Sequence, residues 1–286
     1  MVQFQYGKKF LKDSIIEIWK LCFPYDTEEF RTLYFEKVYQ DDEVLILLED
    51  NRVIASLQMI PYQIKFGDKS YPAAYISGAM THPDFQGKGY MEKLLNHAFE
   101  EMKRKKIPIT FLIPQNDQLF DFYSKFGYQK AFTWNPNAVL KIENKEIEAN
   151  RFFQYKSMDE IDLDELYVIY SDFLNKKENV VTKTKRQFSL ILEDIFLDNG
   201  AVFAGTDKIA LTITDKNNSF VILKECFCQP DEKDEFLSAI ANFSNKNKIV
   251  EINSPSGEFS RYWGMMRVLD ESISVSKDIY MNTMLN

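Results

Sequence analysis

The stretch Thr-His-Pro-Asp-Phe-Gln-Gly-Lys-Gly-Tyr-Met, residues 81–91, decides how the first half of the chain is interpreted. It follows a strand-like segment, residues 73–80, and precedes a segment with helical spacing, residues 92–104. Glycine accepts the backbone angles of a tight cradle, and a helix N-terminus adds unpaired N–H donors and partial positive charge. A strand, a turn containing Gly87 and Gly89, and a helix therefore predict a phosphate or pyrophosphate site.

Composition indicates an ordinary globular protein. The 286 residues are 45% hydrophobic and 27% charged, which suits one large domain or two moderate ones, each with its own core. No apolar run reaches the roughly 18–20 residues that span a bilayer, and the N-terminus lacks a signal-peptide pattern. The three cysteines, Cys22, Cys226 and Cys228, form no even disulfide set and lack zinc-knuckle spacing. We therefore expect free thiols, a cytoplasmic location, no membrane partner and no metal.

The formal net charge of −8 argues against a nucleic-acid partner, because nonspecific affinity for nucleic acid comes mainly from clustered Lys and Arg. The same charge suits a cationic acceptor such as an amine, although global charge says little about one pocket. Lys88 lies inside the glycine turn and is the best candidate for a side-chain contact to phosphate.

The chain divides into two halves of similar order. Each half reads as two helices, several antiparallel strands, then a helix and a strand. A polar stretch at 143–150 predicts a linker between a domain at 1–142 and a domain at 151–286. The second half has no counterpart of the glycine turn, so it is either a degenerate copy of the first or an unrelated accessory domain. Gly78, inside the strand before the turn, predicts a bulge or a close approach by a ligand.

Two motifs carry a family resemblance. Gln86-Gly87-Lys88-Gly89-Tyr90 resembles the Arg/Gln-Gly-x-Gly ending of the acyl-CoA signature of GNAT N-acetyltransferases. Asn116 followed by Phe-Tyr-Ser-Lys-Phe-Gly-Tyr at 122–128 resembles their later motif, in which a tyrosine-bearing helix precedes a Gly-Tyr strand entry. The tandem layout and His82-Pro83 resemble the Eis-type (enhanced intracellular survival) branch. The resemblance implies an α/β (α+β) GNAT fold, with a mixed central sheet flanked by helices, followed by a second, degenerate GNAT-like domain.

The activity that this resemblance implies is transfer of an acetyl group from acetyl-CoA to a small-molecule or peptide amine by direct attack, without a metal. Backbone N–H groups of the turn would hold the pyrophosphate, and the edge of the preceding strand would pair with the pantetheine amides. The residues implied in cofactor binding are Ala79, Met80, Thr81, Gln86, Gly87, Lys88, Gly89, Tyr90, Met91 and Asn116.

Three groups are candidates for the chemistry. The phenol of Tyr123 can protonate the departing thiolate, although a tyrosine beside Phe120 and Phe122 also suits core packing. A backbone N–H of Met80 or a neighbour can stabilise the oxyanion. Eis-type enzymes use the C-terminal carboxylate, here that of Asn286, although a frayed terminus is the usual state. His82 is expected to shape the turn, and His97 to pack or lie exposed.

Two other functions remain open at this point. A non-catalytic acyl-CoA-binding regulatory protein would keep the cradle without turnover, and Tyr123 argues against that alternative. An aminoacyl or peptidoglycan-type transferase with paired GNAT domains would need a basic surface for tRNA, which the net charge disfavours. The sequence leaves open which amine accepts the acyl group and whether the chain forms a homo-oligomer.

Overall fold

The computed structural model describes residues 2–142, 151–254, 261–275, 279–281 and 283–285. The first compact unit takes in the described residues up to 132 and those from 263 to 275. The second unit takes in those from 133 to 262 and from 279 to 285. The predicted linker at 143–150 lies outside the described residues.

The first unit is a sheet of seven consecutive strands flanked by helices. Its strands run in the order β1-β2-β3-β4-β5-β14-β6. In chain order its elements are β1 (Val2–Tyr6), α1 (Lys12–Cys22), α2 (Glu28–Leu33), β2 (Val44–Glu49), β3 (Arg52–Phe66), β4 (Lys69–Thr81), α3 (Tyr90–Arg104), β5 (Ile109–Leu112), α4 (Asp117–Ser124), β6 (Gln129–Trp134) and β14 (Arg261–Val268).

The second unit repeats this order. Its elements are β7 (Ala138–Lys141), β8 (Phe153–Tyr155), α5 (Leu163–Asn175), β9 (Asn179–Thr182), α6 (Lys185–Leu197), β10 (Ala201–Gly205), β11 (Lys208–Thr214), β12 (Val221–Phe227), α7 (Lys233–Ser244) and β13 (Lys248–Glu251). The sheet order is β8-β10-β11-β12-β13-β7. The parallel pair β12 and β13 is joined through α7, as the parallel pair β4 and β5 is joined through α3. This correspondence confirms the predicted second copy of the fold.

The bounds of the two units differ from the predicted domains 1–142 and 151–286. The second unit begins at residue 133, at the end of β6, and includes β7, which pairs antiparallel with β13 in that unit's sheet. Residues 263–275 belong to the first unit, because β14 pairs antiparallel with β5, from Met265 opposite Leu112 to Val268 opposite Ile109. Strand pairing between segments far apart in sequence therefore sets the bounds.

Helix α3 shows how the first unit builds its core. Its buried residues recur at helical spacing and form one apolar face, which packs with the inner faces of β2, β3 and β4. The face consists of Tyr90, Leu94, Leu95, Ala98, Phe99 and Met102. Burial of this face fixes the direction of α3, and therefore where its N-terminus points. Among the described residues, no helix is both long and apolar enough to cross a membrane.

Strand β4 leaves its neighbour β5 halfway along its length. The parallel pairing runs only from Ala73 opposite Ile109 to Tyr75 opposite Phe111, whereas β4 continues to Thr81. On its other edge β4 stays paired with β3, with a register shift between Ser56 and Gln58. Gly78 lies in the extra segment at a φ of 55°, which favours glycine. The predicted bulge at Gly78 is thereby confirmed, and it marks the point where β4 is free of β5.

Candidate active site

The glycine turn is held in shape by His82. The backbone N–H of Asp84 donates to His82 Nδ1 at 3.3 Å, and the N–H of Phe85 donates to the His82 carbonyl at 2.9 Å. These bonds form a short 3-10 turn at Pro83–Phe85. Gln86 Nε2 then donates to the carbonyl of Thr81 at 3.1 Å, which ties the turn back to β4. His82 therefore shapes the turn, as expected.

The turn itself is an open concavity of backbone. Gly87 and Gly89 have φ angles of 75° and 76°, and a Cβ built on either would meet no atom within 4 Å. Gly89 is the N-cap of the 15-residue helix α3 and supplies no side-chain cap, so the first N–H groups of α3 lack an acceptor from that residue. An exposed turn with positive φ angles at a long helix N-terminus fits a pyrophosphate.

The contacts of the side chains around the turn determine which groups are available to a ligand. Lys88 is exposed, with Nζ 3.1 Å from the Asp84 carbonyl and 4.9 Å from the centre of the Phe85 ring. Tyr90 is buried and donates through its hydroxyl to Glu49 Oε1 at 2.7 Å, so it can offer a ligand only its backbone N–H. Met91 follows Tyr90 in the first turn of α3.

The free part of β4 forms the other end of the site. Ser77, Gly78 and Ala79 are half-buried, whereas the side chain of Met80 is buried. Past Tyr75 the edge of β4 that faces β5 has no strand partner in the described ladder. An unpaired strand edge can pair with an extended ligand, and the role of Ala79, Met80 and Thr81 in such pairing stays a prediction. Whether the N–H of Met80 stabilises an oxyanion stays a prediction.

Tyr123 lies on α4, the helix that follows β5. Its ring packs against Phe122 and Tyr128, with centroids 5.2 and 5.8 Å apart. Burial raises the pKa of Tyr123 to about 12, so the phenol is protonated at neutral pH. Its hydroxyl has no hydrogen-bond partner among the described residues. Asn116 is the N-cap of α4, where its side chain accepts from the Leu119 N–H at 3.1 Å. Its role toward a cofactor stays a prediction.

The sequence did not predict a polar network that includes Ser77 of β4. Tyr34 Oη lies 2.9 Å from Gln58 Oε1 and 3.0 Å from Ser77 Oγ. Gln58 Nε2 donates to the Val38 carbonyl at 3.1 Å and to Glu43 Oε2 at 2.9 Å. These residues come from separate segments, so no local motif in the sequence indicates the network.

Trp19 packs directly over the bulge. A Cβ built on Gly78 would lie 2.5 Å from Trp19 Cζ3. The indole is buried, and its Nε1 donates to Asp26 Oδ2 at 2.7 Å. Its ring centroid lies 4.5 Å from that of Tyr34. Trp19 and Tyr34 are therefore core residues, and Trp19 also packs against the bulge.

The C-terminal carboxylate of Asn286, a candidate for the chemistry from the family resemblance, lies outside the described residues. Within the second unit, the segment before it is anchored by backbone bonds of Tyr280 to Asn179 and Val181, at 2.9 and 3.0 Å. Glu225 accepts from Tyr280 Oη and from the Thr283 N–H, each at 2.7 Å. His97, the other histidine, stacks on Phe4 at 4.5 Å, and its expected packing role is confirmed. The described residues hold no group of three or more His, Cys, Asp or Glu arranged to bind a metal.

Comparisons with known proteins agree with this geometry. Residues 4–131 match the acetyltransferase (GNAT) domain family. No curated protein sequence matches the chain. Among solved structures, a conserved protein of unknown function from Enterococcus faecalis, a probable N-acyltransferase, superposes with a TM-score of 0.74 at 14% identity, covering 94% of this chain and 72% of its own. A GCN5-related N-acetyltransferase from Anabaena variabilis gives 0.73 at 15% identity, covering 94% and 73%.

The Eis1 protein of Mycobacterium abscessus gives a TM-score of 0.70 at 9% identity and covers 94% of this chain and 74% of its own. At these identities the structural likeness shows the fold alone, including its two-unit layout, whereas the match over residues 4–131 concerns the family of the first unit. The first unit thus matches the acetyltransferase (GNAT) domain family over residues 4–131, and the two-unit fold of the chain is similar to that of these solved structures.

Proposed function

We propose that the first unit moves an acetyl group from acetyl-CoA to an amine by direct attack. The observation that carries the proposal is the separation of β4 from β5 after Tyr75, with the open glycine turn following β4 and Tyr123 on α4, the helix that follows β5. The turn would hold the pyrophosphate, and the free edge of β4 would pair with the pantetheine amides.

Each of three groups would then have one role in the acetyl transfer. The amine nitrogen bonds to the thioester carbonyl carbon, and the carbon–sulfur bond breaks. A backbone N–H on the bulged segment, assigned to Met80, stabilises the oxyanion, a contribution typically worth about 10²–10³ in rate. Tyr123 gives its phenolic proton to the departing thiolate. The carboxylate of Asn286 is proposed as the base that takes the proton from the amine.

The test is titration of the full chain with acetyl-CoA by calorimetry, using Gly87→Glu and Gly67→Glu. Both glycines have positive φ and open space where a side chain would go, so both variants carry similar backbone strain. Only Gly87→Glu places a carboxylate in the cradle, and we expect only that variant to lose binding. Gly67 lies in the turn between β3 and β4.

Thiol release in the presence of amines then tests turnover. Wild-type protein that does not bind acetyl-CoA would overturn the proposal, and so would equal binding by the two variants. Binding without thiol release from any amine would leave the non-catalytic alternative as the better account.

A further inference from the structure

The donors and acceptors in the network of Ser77, Tyr34, Gln58 and Glu43 determine the direction of its hydrogen bonds. Both N–H hydrogens of Gln58 are used, one by the Val38 carbonyl and one by the Glu43 carboxylate, and neither partner can donate. The amide is therefore oriented with its oxygen toward Tyr34, and the single hydroxyl hydrogen of Tyr34 is donated to that oxygen. Since Gln58 takes the single hydroxyl hydrogen of Tyr34, we infer that the hydroxyl of Ser77 is the donor in its 3.0 Å contact with Tyr34.

The hydrogen bonds that connect Ser77 to Glu43 are consequently all donated in the direction of Glu43. Ser77 donates to Tyr34, Tyr34 donates to Gln58, and Gln58 donates to the carboxylate. Aligned hydrogen bonds polarise one another, so the negative charge of Glu43 increases the electron density at each preceding acceptor. The effect reaches Ser77 Oγ, which has no hydrogen left to offer and keeps its lone pairs for a donor.

Ser77 is also the member of the network that meets the candidate site. Tyr34 and Gln58 are each 3% exposed, whereas Ser77 is half-buried and directly precedes Gly78 on the part of β4 that has left β5. Burial raises the pKa of Tyr34, so its hydroxyl stays protonated and the chain keeps its direction at neutral pH. Tyr34 opens a single π-helical turn, Tyr34–Val38, a local irregularity frequent at functional sites.

We propose that Ser77 Oγ accepts a hydrogen bond from the N–H of the acceptor amine, with Tyr34, Gln58 and Glu43 as the positioning residues that aim and polarise it. The inference rests on the proposed acetyl transfer and adds to it a group that positions the acceptor amine. The acceptor is a primary or secondary amine that approaches across the β4 face bearing Ser77. The bond strengthens as nitrogen becomes positive during attack, so it acts on the transition state more than on the bound amine. The amide of Gln58 holds the direction and does not relay the proton.

The experiment measures steady-state kinetics with a small panel of amines: 2-phenylethylamine, spermidine and a tripeptide with a free N-terminus. We expect Ser77→Ala to lower kcat/KM for the amine by about 10–100-fold, the range for a hydrogen bond to a developing charge. The affinity for acetyl-CoA, measured by calorimetry, should stay unchanged. Ser77→Thr keeps the hydroxyl and should retain most of the activity. Ser70→Ala removes a hydroxyl at the far end of the same strand, where Ser70 donates to Gln63 at 3.3 Å, and should behave as wild type.

Two further variants separate positioning from simple packing. Tyr34→Phe breaks the chain in the middle and should approach the loss seen in Ser77→Ala. Glu43→Gln keeps an acceptor for Gln58 but removes the charge, so its loss should be smaller and should appear in kcat more than in KM. If the wild type turns over and Ser77→Ala has the same kcat/KM for the amine, this inference is overturned and the proposed function stands. Absence of acetyl-CoA binding in the wild type would overturn both.

Discussion

The contact between Gly78 and Trp19 gives a sharp prediction for Gly78→Ala. Two costs add at this position. The residue has a φ of 55°, and an L-residue in the left-handed region costs about 1–2 kcal/mol. The new Cβ would lie 2.5 Å from Trp19 Cζ3 and 3.3 Å from Cη2, closer than van der Waals contact allows.

Trp19 has little freedom to move away. It is 5% exposed, its Nε1 donates to Asp26, and its ring packs against Tyr34 and Phe35 with centroids 4.5 and 5.2 Å away. Overpacking in such a core typically costs about 1–3 kcal/mol. We therefore expect Gly78→Ala to lower the free energy of unfolding by about 2–5 kcal/mol.

Gly67→Ala is the matched control, because Gly67 has nearly the same φ, 56°, and no atom within 4 Å of a built Cβ. Its cost should be the backbone part alone, about 1–2 kcal/mol. Urea unfolding followed by far-ultraviolet circular dichroism measures both variants. A Trp19→Leu background should remove the clash and bring the two glycine variants together. Equal destabilisation of Gly78→Ala and Gly67→Ala in the wild-type background would refute the packing of Trp19 on the bulge.

Three further predictions address the chemistry, the charge and the second unit. Tyr123→Phe should lower kcat at least tenfold with acetyl-CoA affinity unchanged. The control Tyr128→Phe, which loses a buried hydrogen bond to Thr110 at 3.0 Å, should keep kcat. Full activity in Tyr123→Phe would show that Tyr123 is not the general acid. Bonds from Arg104 and Tyr6 lower the pKa of Glu101 to about 2, so its stabilisation is complete above the ordinary carboxyl pKa and is lost as pH falls through about 2. Glu101→Gln should therefore cost about 1–2 kcal/mol in urea unfolding at pH 7 and progressively less toward pH 2, and a cost independent of pH would contradict this assignment. Calorimetry should give one acetyl-CoA per chain, and a stoichiometry of two would show that the second unit also binds.

The cradle could be predicted from sequence because its parts are contiguous. Glycines at two turn positions, a strand before them and a periodic helix after them all lie within residues 73–104, and each local preference favours the same structure. The bulge at Gly78 was predictable for the same reason, since an isolated glycine in a strand pattern marks such a site. Tyr123 required a second motif, residues 122–128, whose spacing is also local.

The features that were missed depend on pairing across the chain. Strand β14 lies beside β5, more than 140 residues earlier in the sequence, and neither segment carries a signal for the other. The Ser77 network draws on helix, strand and loop positions that only folding brings together. The rings of Tyr34 and Trp19 are buried, as the apolar character of aromatic side chains favours. Spacing could not show that the hydroxyl of Tyr34 completes a polar chain.

The second unit shows why a repeated topology need not repeat a site. Its β12 also runs past its parallel partner, since pairing with β13 ends at Leu223 opposite Glu251. The connection from there to α7, residues 228–232, contains no glycine and folds into a 3-10 turn at Pro230–Glu232. Lys233, at the start of α7, pairs with the buried Glu251 at 2.6 Å, so a cation and an anion of the protein itself occupy the start of the helix. In the first unit, a free helix N-terminus and a positive-φ turn are available to pyrophosphate. The second unit lacks both, because the first residue of α7 forms an internal ion pair and no positive-φ turn precedes it. The fold supplies the parallel strands and the helix in both units, and the glycines at 87 and 89 make only the first a candidate phosphate site.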